Sequence, residues 1–98
     1  MPSSRLNLAI RRLSESGASL RCDELRDLLV GLGFSIKDGK KVGHKVVTHG
    51  GLAGFHSTSY TCGHGHNPEI KRSYLNNIRR VLQTHEQALQ DFLKEEAP

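Results

Sequence analysis

Three short runs of strand-forming residues, each cut off by glycine, sit between stretches of helical periodicity, and this leaves few folds open. Phe34-Ser35-Ile36-Lys37 alternates apolar and polar residues, the period of a half-buried strand. Asp38-Gly39 then gives a hairpin-type turn signal. A second run spans His44 to His49. Val46 and Val47 are both apolar and point opposite ways, so its facing stays open. Gly50-Gly51 starts a loop and Gly54 ends it. The third run is read from Phe55 to Thr61. By parity we assign Phe55 to the covered face and His56, Thr58 and Tyr60 to the open one.

Helical spacing flanks these runs. Leu6, Ile10 and Leu13 recur at i, i+4, i+7 and predict a first helix over 3–16, which Gly17-Ala18-Ser19 breaks. Cys22, Leu25, Leu28, Leu29 and Leu32 form the apolar stripe of a second. Asp23 and Glu24 suit the positive end of its dipole, and Gly33 suits the left-handed residue after its end. Asn67 reads as an N-cap and Pro68 as a first helical residue. Ile70, Tyr74, Ile78, Val81, Leu82, Leu89 and Phe92 then predict one last helix to about Lys94. The expectation is an α+β domain of order α-α-β-β-β-α, a three-stranded antiparallel sheet with helices packed on one face.

A chain of 98 residues allows one small core, built here from Leu, Ile and Val because aromatics are few and Trp is absent. No apolar run approaches the ~20 residues that span a bilayer. Met1-Pro2-Ser3-Ser4-Arg5 lacks the apolar stretch of a secretory signal, so we expect a cytoplasmic protein without a membrane partner. Cys22 and Cys62 are not read as a disulfide framework. Cys22 reads as a small buried hydrophobe on its helix. The formal net charge is +4, which favours an anionic partner, most simply nucleic acid. Lys71, Arg72, Arg79 and Arg80 lie on the outer surface of the last helix as candidate RNA-binding residues, although charge runs are commonly just solvated faces.

The chemistry concentrates at Gly43-His44-Lys45-Val46-Val47-Thr48-His49, with Lys40 and Lys41 just before it. Histidine is the one common side chain that both gives and takes a proton near neutral pH. RNA brings its own nucleophile, the 2′-hydroxyl. Cleavage then needs a base, an acid for the 5′-oxygen and cations for the phosphorane charge, without a metal or other cofactor. His44 is the candidate acid or base; Lys40, Lys41 and Lys45 are candidate phosphate contacts. A satisfied or exposed structural histidine is the competing reading.

A helix ending Leu32-Gly33-Phe34, a hairpin, Gly43-His44-Lys45-Val46-Val47 on the second strand and a last helix after the third together resemble the HicA toxins, ribonucleases (mRNA interferases) of bacterial toxin–antitoxin pairs. The likeness covers roughly residues 20 to 93. Cys62-Gly63-His64-Gly65-His66-Asn67-Pro68-Glu69-Ile70-Lys71, with Tyr74 and Ile78, is similar to one subgroup. The resemblance implies a fold like the double-stranded RNA-binding domain, an RNA substrate, no metal, catalysis by His44 and a HicB-type antitoxin partner. Residues 1–18 look like a helical extension and 19–98 like the HicA-like domain. Many relatives read Gly-Ser-His where this chain reads Val42-Gly43-His44, so a serine contact to phosphate is missing here.

Two alternatives stand beside this reading. One is an RNA-binding module without catalysis. The other is a zinc-stabilised interaction domain built on Cys62, His64 and His66. Their alternate spacing matches no usual zinc pattern, and a fourth ligand would have to come from His44, His49 or His56. Gly63 and Gly65 fit a structural turn leading to Asn67, or a phosphate-binding helix start that Glu69 disfavours.

Overall fold

The computed structural model describes residues 4–15, 20–63 and 65–96. The elements are α1 (Ser4–Ser14), α2 (Cys22–Gly31), β1 (Phe34–Asp38), β2 (His44–His49), β3 (Thr58–Thr61), α3 (Arg72–Thr84) and α4 (Glu86–Glu96). The chain is α+β, with one antiparallel sheet of order β1-β2-β3. The expected break at Gly17-Ala18-Ser19 lies outside the described residues.

The single last helix expected from the sequence is two helices. His85, at φ −105° and ψ 21°, ends α3, and α4 begins at Glu86. Its N–H bonds to the Val81 carbonyl, and its own carbonyl accepts the Leu89 N–H, so the bend leaves neither group unpaired. The His85 ring meets Phe55 edge-on at 5.4 Å. No proline or glycine marks the bend, and apolar spacing runs through it, so the pattern could not show it.

Cross-strand pairs fix the two faces of the sheet. Phe34 pairs with His49, Ile36 with Val47, Val47 with Thr58 and Lys45 with Tyr60. Phe34, Val47, His49 and Tyr60 are all buried, so this is the helix-covered face. The opposite face carries Ser35, Lys37, His44, Val46, Thr48, Ser59 and Thr61, exposed or half-buried. Tyr60 and Thr58 therefore lie on the covered face, opposite to the expectation. That expectation counted parity from Phe55, but β3 begins only at Thr58, and Phe55 sits in a turn whose N–H bonds to Leu52. Alternation holds only within a strand, so parity counted through a turn carries no information.

Cys22 and Cys62 form a disulfide with Cα atoms 5.8 Å apart, within the usual range. The reading of Cys22 as an unpaired hydrophobe is corrected. A separation of 40 residues gave no local cue, because the pair meets only once the sheet has folded back on α2.

The same corner corrects Asn67. It does not cap the helix that follows it; Lys71 is the N-cap of α3. Asn67 instead adopts φ +58°, and its Oδ1 accepts the Asp23 N–H at 3.0 Å, capping α2 from far along the chain. The Pro68 carbonyl takes the Cys22 N–H, and Ile70 N–H bonds to Leu20. Segment 62–70 is thus stitched to the start of α2.

Leu6, Ala9 and Leu13 of α1 are buried in the same core as Leu25, Leu29, Leu75, Ile78 and Leu82, and α1 packs on α3 and α4. No helix among the described residues is long and apolar enough to cross a membrane.

Candidate nucleic-acid interface

β2 begins at His44, and the connection before it shapes the site. Lys41 accepts the His44 N–H and Gly39 N–H donates to the His44 carbonyl, closing the turn over 39–44. Gly39 lies directly against the His44 ring, and any Cβ there would collide with it. Gly43 sits at φ +82°, a left-handed value that other residues adopt only with strain. It is also pressed against the Cys62 carbonyl, leaving no room for a side chain. The serine common at this point in HicA sequences would not fit this backbone.

His44 is half-buried on the open face, with Thr61 directly across on β3. Neither ring nitrogen is engaged with a described residue, so both remain available for proton transfer. His49 is the opposite case. It is 7% exposed, lies between the edges of Phe34 and Phe92 at 4.7 and 4.6 Å, and spends both nitrogens. Gly51 N–H donates to Nδ1, so Nε2 carries the proton it gives to the Leu32 carbonyl, both at 3.0 Å. Of the two histidines bounding β2, one is structural and the other is chemically free.

The cations divide between the faces. Lys40 and Lys41 are exposed in the turn leading to His44. Lys45, expected beside His44, points to the other face and bonds to Asp38. That hydrogen bond, with the lysine charge behind it, holds the Asp38 carboxyl below its ordinary range. Lys37, absent from the candidates drawn from the sequence, takes the place assigned to Lys45. It pairs with Val46, which sets it diagonally next to His44 on the same face, exposed and without an ion pair among the described residues. Diagonal neighbours are roughly 7–8 Å apart, within reach of a lysine. Hairpin register, rather than chain adjacency, was the signal that could have found it.

The basic residues of α3 lie away from His44, because α3 packs against the covered side of the sheet. Lys71 and Arg80 are exposed. Arg72 reaches the Leu13 and Glu15 carbonyls at 3.4 and 3.3 Å, closing the end of α1. Arg79 is half-buried, its Nε enclosed without a partner among the described residues. Arg80 borders a pocket of about 330 Å³ with Thr58, Asn77, Thr84 and His85. The sequence grouped these four cations as one surface, whereas the structure leaves Lys71 and Arg80 as the ones free to meet a polyanion.

Tyr60 is no rival to His44 as a base. Burial pushes its phenol up to about 12, against a smaller downward pull from Arg26. Cys62 is held in the disulfide and so is removed from the zinc reading. His66 is exposed, and His64 lies outside the described residues. Among the described residues no group of three or more His, Cys, Asp and Glu side chains is placed to hold a metal ion.

No family model, curated protein or solved structure matches the chain.

Proposed function

We propose that this protein is a metal-independent endoribonuclease toxin of the HicA/HicB type, acting in the cytoplasm, with a fold of the double-stranded-RNA-binding-domain kind and an antitoxin partner. The observation that carries the reading is His44, half-buried on an open sheet face with both nitrogens unspent, Lys37 diagonal to it and Lys40 and Lys41 in its turn. The resemblance of Gly43-His44-Lys45-Val46-Val47 and of the segment from Cys62 to Lys71 to HicA sequences supports the same conclusion.

In this reading the His44 imidazole takes the proton of the RNA 2′-hydroxyl as that oxygen attacks the adjacent phosphorus. Lys37 and the turn lysines offset the charge that gathers on the phosphorane. The imidazolium then returns a proton to the departing 5′-oxygen, leaving a 2′,3′-cyclic phosphate. The missing serine puts more of the phosphate contact on the lysines.

Purified protein incubated with RNA and a chelator tests the proposal. Cleavage that persists with chelator and vanishes in His44→Ala supports it; RNA binding without cleavage would replace it with a non-catalytic RNA-binding module. Co-expression with the neighbouring small gene tests the antitoxin. Copurification and rescue of growth are expected, and the absence of both removes that partner.

A further inference from the structure

β3 is a four-residue edge strand, and its last ladder pair is Thr61 with His44. Short edge elements with few ladder bonds are where local opening begins. One residue further, Cys62 N–H donates to the Gly43 carbonyl at 2.8 Å, and Gly43 is pressed against the Cys62 carbonyl. Gly43 immediately precedes His44. On its other side Cys62 is bonded through sulfur to Cys22, the first residue of α2. That residue is itself fixed by the Pro68 carbonyl, with the Asn67 side chain on the next N–H. An unbroken path of one covalent bond and short backbone contacts therefore runs from the start of α2 to the histidine.

We propose that the Cys22–Cys62 disulfide positions His44, and that its reduction by a dithiol is a switch that loosens the histidine's strand end and lowers activity; the activity part rests on the nuclease reading above. The exchange balances simply. A dithiol gives two electrons and two protons, the sulfur–sulfur bond becomes two thiols, and the reductant closes to its own disulfide. Disulfides in a reducing cytosol are characteristically transient or redox-sensing, so a cytoplasmic location makes this bond conditional. Cys22 and Cys62 act as positioning residues, since neither needs to touch RNA.

Amide hydrogen exchange on the full chain, oxidised and dithiothreitol-treated, tests the tether directly, with RNA cleavage measured in parallel. Reduction is expected to accelerate exchange at Cys62 and His44 while Ile78 and Leu82 stay protected. Cleavage should fall roughly tenfold to hundredfold, the cost of displacing a reacting group by up to about an ångström. The loss falls on kcat with KM held, as when a transition-state contact alone is weakened. Reoxidation restores both readings, and Cys22→Ser matches reduced protein under either condition. Equal exchange in the two redox states of the wild type overturns the tether, whether or not the variant folds. Cleavage that ignores the redox state while exchange responds overturns the switch. An exchange difference with no cleavage in either state supports the tether and removes the nuclease reading instead.

Discussion

His44 and His49 bound the same strand, face opposite ways and carry opposite expectations. His44→Ala removes a ring with no hydrogen bond to a described residue, so the melting temperature should hold while cleavage falls by about 10²–10⁴, the usual weight of general acid–base catalysis. His49→Ala strands the buried Leu32 carbonyl and Gly51 N–H and empties the space between Phe34 and Phe92. Urea denaturation should show a loss of about 2–4 kcal/mol, with cleavage by the folded fraction unchanged. The two lysines part in the same way. Lys37→Ala should lower cleavage, whereas Lys45→Ala should spare it and release Asp38. Because Asp38 is held low, the pair's stabilisation is present above the unfolded carboxylate range and is lost as pH falls through the lowered folded value. Asp38→Asn should flatten that acid limb of the stability curve. The extent of β2, with His44 at its start and His49 at its end, was legible in the sequence. Its facing was not, because Val46 and Val47 gave each face an apolar residue, and that ambiguity put Lys45 where Lys37 belongs.

At the scale of elements, the corner between α2 and residues 62–70 holds what local patterns could not express. Asn67→Ala should cost about 1 kcal/mol, the usual loss for a helix cap. Exchange should quicken at Asp23 in the first turn of α2 rather than at the start of α3, and amide protection in the two helices checks which is weakened. Gly43→Ser puts the serine common in HicA sequences next to His44, yet it should destabilise by about 1–3 kcal/mol and fail to raise activity. A left-handed backbone and the Cys62 carbonyl both exclude the side chain, and thermal melting checks it. The helix, hairpin and glycine signals that act over a few residues were readable: α2, β1 and β2 fall where the pattern put them, and Gly33 is left-handed as expected. The cap and the disulfide were not, since each joins residues brought together only by the fold. The bend at His85 escaped because it keeps its hydrogen bonds and its apolar period.

Two groups of exposed lysines and arginines carry no ion pair among the described residues: Lys37, Lys40 and Lys41 around His44, and Lys71 and Arg80 at α3. Affinity for single-stranded RNA should fall linearly with salt on logarithmic axes as counterions are released. Reversing the charges of Lys71 and Arg80 together should reduce that slope by about 1.4. Arg72→Ala should act chiefly on stability, through the end of α1 that it holds. Titrations at several ionic strengths separate the three residues, and a slope untouched by the double reversal would place α3 outside the RNA path.

The cross-link also changes what a protease can do. All three strands lie between Cys22 and Cys62 in the chain, so the whole sheet sits inside one covalent ring. A cut in the exposed turn at Lys40 or Lys41 opens the ring without freeing a fragment. Both pieces stay joined through sulfur and held by the ladder, one covalent molecule heavier only by the water that hydrolysis adds, until a thiol is added. Release of a fragment then takes proteolysis and reduction together, and a cut in the sheet is latent while the bond survives.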